Sequence, residues 1–185
     1  MGLFSFLKKN PEIKGLIDQL STTIIQVSGH ECSELRHLWG RRLCDKDQIL
    51  LFVEYSAFLI AATDRLAYEA LNPDERSLVM NGVIDQIKAA FARQEHFGAT
   101  EKERRDFYEK MVQERLENYG NCPSIMGKDP NNIIFTASKF LLGKFPPDIP
   151  GMSTAEILFA TGKAITDSLA AILQTPPYRT LTSRS

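Results

Sequence analysis

The chain has 185 residues, of which 43% are hydrophobic and 24% are charged, which is typical of one globular domain with a single core. Its 22 Lys and Arg residues and 23 Asp and Glu residues give a formal net charge of −1. This balance excludes the strongly positive field with which proteins gather nucleic acid. Three cysteines are an odd number in a chain too large to need disulfides, so we expect reduced thiols.

The first nine residues, 1–9, form a short apolar arm that ends in two lysines. Its apolar stretch is too short for the central region of a signal peptide, so we expect a cytoplasmic protein. The arm is expected to pack on the bundle or on a second copy of the chain. The alternative is contact with a membrane surface, for which the apolar area is small; the residues concerned are Leu3, Phe4 and Phe6.

Helical periodicity begins at Asn10, a capping residue that precedes Pro11 at the first helical position. Apolar residues then recur every three or four positions as far as Val27. Ser28-Gly29 is the expected point of any interruption, because glycine costs up to about 1 kcal/mol inside a helix. The sequence therefore allows either one kinked long helix or two shorter ones before residue 44.

The segment 46–71 predicts the central helix of the fold. Its stretch from Ile49 to Ala62 is apolar on every side of a helix, so it offers no face to water. The apolar run is shorter than the roughly 20 residues that a membrane span needs, and it contains Glu54. We therefore expect a buried helix with other helices packed around it and no transmembrane segment.

Three later helices have clear start signals: Asn72-Pro73, the capping box Thr100 to Glu103 and the capping box Ser153 to Glu156. A short helix is expected to begin at Asp129-Pro130. The helix that follows Thr100 carries charges of alternating sign, which are typical of a solvated surface; they include Arg104, Arg105, Lys110 and Arg115.

The last long helix, which ends near Gln174, has a bulky side and a small-residue side. The small residues allow another helix to approach closely, either in the core or in a dimer; they are Ala160, Gly162, Ala164 and Ala171. With no alternating strand pattern, the sequence predicts an all-α, single-domain bundle of about six helices over residues 10–174. Residues 175–185 are expected to form a flexible tail.

One face of the first helical region carries a candidate metal site. His30, Glu34 and His37 follow helical spacing, and Glu-x-x-His pairs bind metal in di-iron helical bundles. Such sites need a second pair and two further glutamates, and only Glu54 is available as an extra carboxylate. The alternative is a polar stripe that faces solvent.

Glu54 is the second candidate, because a carboxylate inside an apolar helix must be paired or shifted in pKa. The expected partner is an arginine from another helix, among Arg36, Arg41 and Arg42. Alternatively, Glu54 belongs to a ligand pocket on the central helix. The residues predicted for that pocket are Glu54, Tyr55, Asp64, Arg65 and Tyr68.

Catalytic and cofactor motifs are not found: the sequence has no glycine-rich phosphate loop, nucleophile elbow or Cys-x-x-Cys pair. The leading hypothesis is a non-enzymatic, homodimeric adaptor that binds a protein through a helical groove or through the loop 120–132. The alternative is a small-ligand or metal-binding bundle that uses His30, Glu34, His37 and Glu54.

Overall fold

The computed structural model describes residues 11–39, 44–94, 99–126, 131–144 and 151–182, which form seven α-helices and no strand. The predicted all-α bundle is confirmed, while the predicted arm 1–9 lies outside the described residues. No helix in the described ranges is long and apolar enough to cross a membrane. The helices are α1 (Pro11–Leu38), α2 (Asp45–Ala70), α3 (Pro73–Arg93), α4 (Glu101–Gly120), α5 (Ile133–Lys144), α6 (Thr154–Leu173) and α7 (Pro176–Thr182).

Helix α2 is the centre of the bundle, as the sequence predicted. Every residue from Val53 to Thr63 is buried, and α2 packs against α1, α3, α4, α5 and α7. An aromatic stack extends from this helix into its neighbours, with Phe52 against Phe91 and Phe91 against Tyr108. A helix that is apolar all round is stable in water only when it is covered in this way.

The predicted helix starts at Asn72, Thr100 and Ser153 are present. The side chain of Asn72 accepts a hydrogen bond from the Glu75 backbone at 2.9 Å, and α4 and α6 each begin with a complete capping box. The start predicted at Asp129 lies outside the described residues; α5 begins at Ile133, preceded by Asn132, whose side chain accepts a hydrogen bond from the backbone of Phe135.

The structure differs from the expected flexible tail over residues 176–182, which form α7. Tyr178 and Leu181 are buried, and the Tyr178 hydroxyl lies 2.8 Å from Oγ1 of Thr63 on α2. Two apolar residues three positions apart are too short a pattern to reveal a helix in sequence. Burial of these two side chains against the bundle orders the segment.

Helix α1 is continuous through Gly29, which decides between the two alternatives that the sequence left open. A Cβ added at Gly29 would meet no atom within 4 Å. The glycine that matters for packing is Gly82 of α3, where an added Cβ would lie 2.7 Å from Cδ1 and 3.1 Å from Cγ2 of Ile17. Gly82 therefore allows α1 and α3 to approach closely.

Alanine substitutions at these two glycines are predicted to have opposite effects on stability. Gly29→Ala gains helix propensity at no steric cost and should raise the free energy of unfolding by about 0.5–1 kcal/mol. Gly82→Ala gains the same propensity but overpacks the branched Ile17, at a cost of about 1–3 kcal/mol, so it should be net destabilising. Urea denaturation measures both, and adding Ile17→Val should recover part of the Gly82→Ala loss. Equal stabilisation at both positions would contradict this account of the α1 and α3 contact.

Candidate functional site

Glu54 is buried in the middle of α2, with 1% of its side chain exposed. Its two carboxylate oxygens accept hydrogen bonds from Arg115 of α4, at 2.5 Å from Nε and 2.8 Å from Nη2. Nζ of Lys144, at the end of α5, lies 2.6 Å from Oε1. One carboxylate therefore links three helices, and the bidentate geometry is the strongest form of such a pair.

Arg115 is held on all sides by its surroundings. Its Nη1 donates to Glu114 at 2.8 Å, and its guanidinium carbon lies 4.3 Å from the ring centre of Phe140. The prediction that Arg115 belongs to a solvated face is wrong, since the residue is only 4% exposed. The partner expected among Arg36, Arg41 and Arg42 is instead Arg115; positions 41 and 42 lie outside the described residues.

The two acidic and two basic side chains of this cluster carry no net charge: Glu54, Glu114, Arg115 and Lys144. The hydrogen bonds to Glu54 raise the pKa of Arg115 above its ordinary value, against the opposing effect of burial. Burial, aided by the charge of Glu54, also raises the pKa of nearby Tyr119, so its phenol stays protonated. Burial, bidentate bonding and contacts with three helices are the properties of a structural ion pair.

The polar residues at the other end of α2 contact different neighbours. Asp64 accepts hydrogen bonds from Arg76 of α3, at 2.8 Å from Nε and 2.5 Å from Nη2. The Arg76 guanidinium also lies 5.1 Å from the ring centre of Tyr68. Arg65 donates to the backbone carbonyls of Gly120 and Cys122. These contacts tie α2 to α3 and to the end of α4.

The predicted ligand-pocket residues of α2 do not form one pocket. Asp64 and Arg65 help to line a cavity of about 180 Å³ between α2, α3, α4 and the start of α5, whose other lining is largely apolar. Glu54 is ten residues earlier, about 15 Å along the helix axis, and Tyr68 is exposed. The hydroxyl of Tyr55 is buried; burial raises its pKa, an effect that Ser168 of α6 opposes.

The three residues predicted as metal ligands, His30, Glu34 and His37, are exposed on α1. In the described ranges, no three side chains of His, Cys, Asp or Glu converge as a metal would require. Glu54, the carboxylate that was expected to join them, is bound to Arg115 and Lys144 instead. The arrangement of these residues is that of a polar, solvent-facing stripe.

The loop 120–132, predicted as a binding element, is tied to the bundle where the structure describes it. Arg65 holds the carbonyl of Cys122 at 2.5 Å. The backbone N–H groups of Ile133 and Ile134 donate to the carbonyls of Ser124 and Ile125. These bonds leave little freedom for the described part of the loop, although Met126 is exposed.

The most exposed large hydrophobic side chain in the described ranges is Phe159 of α6, at 80%. It lies on a face formed mainly of small and charged residues: Ala155, Ala160, Lys163, Asp167, Ala170 and Ala171. The opposite face packs on the bundle through Ile157, Thr161, Ile165, Leu169 and Ile172. We call the face that carries Phe159 and these small and charged residues the outer face of α6.

A buried hydrogen bond, together with the apolar packing face, fixes the rotation of α6 about its axis. Nε1 of Trp39, at the end of α1, donates to Oγ1 of Thr161 at 3.1 Å. A polar pair of this kind is costly to break in an apolar core. Because Thr161 is fixed inwards, Phe159 and Lys163, two residues before and after it, are directed outwards. In the sequence, helical periodicity predicts a bulky side and a small-residue side for α6, but it does not indicate which side faces solvent.

No protein-family model matches the chain, and no match is found among curated proteins or solved structures.

The pairing of Glu54 with Arg115 leads to a prediction about the free energy of unfolding. Arg115→Met leaves the Glu54 carboxylate buried with only Lys144 as its partner, so we expect the free energy of unfolding to fall by about 3–5 kcal/mol. The double variant Glu54→Leu with Arg115→Met removes both charges and should be more stable than Arg115→Met alone. Chemical denaturation measures each variant.

The matched control is Arg105→Met, which removes an arginine of the same helix from an exposed pair with Glu101 at 2.8 Å. Its effect should stay within about 0.5 kcal/mol. If Arg115→Met were as mild as Arg105→Met, the pair would not be the link between α2 and α4 that its geometry indicates.

Proposed function

We propose that this chain is a cytoplasmic, non-catalytic protein-binding module whose binding surface is the outer face of α6. The single observation that carries the proposal is the exposure of Phe159, a large apolar ring with 80% of its surface in water. Full burial of such a side chain is worth roughly 1.5–3 kcal/mol. The described residues leave the ring exposed, so this free energy is available to another molecule that covers it.

The neighbours of Phe159 support a protein as that molecule. Aromatic residues are enriched at the centres of protein interfaces. Ala155, Ala170 and Ala171 are all exposed on the same face and cost little side-chain entropy when covered. The other strongly exposed aromatic residue, Tyr68, lies against Arg76 of its own chain and has a hydroxyl to solvate.

The buried polar groups support binding over catalysis. A general acid or base must reach the proton that it transfers. Glu54 has 1% of its side chain exposed and is bonded to Arg115 and Lys144, so it lacks that access. Its role is better explained by the linking of helices.

The cytoplasmic part of the proposal rests on the cysteines. Cys32, Cys44 and Cys122 are free, and Cys44 is exposed. A free exposed thiol is compatible with a reducing compartment, where thiols are kept reduced.

Photo-crosslinking from position 159 tests the proposed surface. A benzophenone amino acid replaces Phe159 in one sample and Tyr68 in the matched control, each in cells that express the chain. We expect a discrete protein adduct from position 159 and none above background from position 68, because the outer face of α6 is the surface that is covered.

A further variant separates a specific contact from collision. Ala170→Arg, which places a bulky charge on the same face, should abolish the adduct while leaving thermal unfolding unchanged. An adduct that survives this substitution, or equal adducts from the two positions, would contradict binding by this face.

A further inference from the structure

The outer face of α6 is complementary to itself, and we propose that the chain covering it is a second copy, with the two α6 helices antiparallel about a two-fold axis. This inference rests on the proposed function, since it names the partner for the same surface. It is carried by three residue pairs on that face, defined by their positions along and around the helix.

An α-helix turns about 100° per residue, so residues eleven apart lie three turns apart and only about 20° apart around the axis. Phe159 and Ala170 have this spacing, and so do Ala160 and Ala171. Lys163 and Asp167 lie between them, about 40° apart. The six side chains together span about 120° of the helix circumference, with Lys163 and Asp167 at the centre and the other two pairs on either side of them.

When a two-fold axis relates two antiparallel helices, each residue faces a residue of the other copy. Along the helix, the positions of these two residues lie at equal distances on either side of the level of the axis, and around the helix they lie at a similar angle. All three pairs are centred within about half a residue of position 165. The side chain of Ile165 itself is buried on the opposite side of the helix. One placement of the second copy therefore satisfies all three pairs at once.

Each pair is chemically matched in that placement. Phe159 meets the small Ala170 of the second copy, which leaves room for the ring, and the contact occurs twice by symmetry. Ala160 meets Ala171 of the second copy on the other side of the seam, where the small side chains leave room for contact. Both apolar contacts remove exposed surface from water.

The charged pair fixes the direction of the second helix. The side chains of Lys163 and Asp167 are 76% and 64% exposed, and within one chain Nζ of Lys163 lies 2.5 Å from Oδ2 of Asp167. In the antiparallel placement, Lys163 faces Asp167 of the second copy, and Asp167 faces Lys163. In a parallel placement, lysine would face lysine and aspartate would face aspartate, which is repulsive.

The contact is limited to one helix. Helix α6 has 20 residues, about 30 Å in length, so a single helix seam falls at the small end of specific interfaces. We therefore expect a reversible dimer whose population depends on protein concentration.

Charge reversal tests the pairing. Lys163→Asp places a carboxylate opposite Asp167 of the second copy, twice per dimer, and Asp167→Lys places two lysines in contact in the same way. Each single variant should weaken self-association roughly tenfold or more. The double variant Lys163→Asp with Asp167→Lys restores opposite charges and should recover the dimer. Light scattering coupled to size-exclusion chromatography, over a concentration series, measures the mass of each.

The control is Lys14→Asp, because Lys14 and Asp18 form another exposed pair at the same spacing on α1, at 3.1 Å. It loses a similar contact within its own helix and should dimerise like the wild type. If the single reversals also match the wild type, or if the double variant stays as weak as the single ones, the antiparallel pairing is overturned.

The crosslinking result distinguishes this inference from the proposal on which it rests. An adduct from position 159 with twice the mass of the chain supports the second copy. A specific adduct of another mass, together with a monomeric wild type, would overturn self-association and leave protein binding in place. No specific adduct and a monomeric wild type would overturn both.

Discussion

The fold depends on one constraint: a helix that is apolar on every side carries a carboxylate at its centre. Glu54 is acceptable there only because Arg115 donates to both of its oxygens and Lys144 lies against one of them. Since these partners come from α4 and α5, satisfying the carboxylate also fixes how those helices sit on α2. An uncompensated charge at this depth is far more costly than the pair is favourable, so the arrangement specifies the packing more than it adds stability.

Other polar groups among the described residues also have partners on neighbouring helices or loops. Asp64 is bound by Arg76, Arg65 caps the end of α4, and Thr161 fixes α6 through Trp39. Each of these groups joins helices to one another or to a neighbouring loop. What remains for contact with other molecules is the surface, and there the outer face of α6 is distinguished by an aromatic ring that the described residues leave 80% exposed.

The architecture was predictable where one physical signal dominates. The apolar stretch from Ile49 to Ala62 identified the central helix, and the capping boxes at Thr100 and Ser153 marked two starts. The burial of Arg115 was missed although helical spacing places it on the stripe of Tyr108, Val112 and Tyr119. Its pairing with Glu54 could not be predicted, because that contact joins residues 61 positions apart in the sequence. Helix α7 and the free side of α6 were missed for a related reason: both depend on contacts between distant parts of the chain, such as Tyr178 with Thr63.

The central claim about function is that the outer face of α6 is covered by another copy of the chain. Sedimentation equilibrium of the unmodified protein over a wide concentration range tests it most directly. The account predicts an average mass that rises with concentration from that of one chain, 20.8 kDa, towards twice that value and no further, because a two-fold contact closes on itself. A mass that stays at one chain throughout, or that continues to grow beyond two, would contradict it.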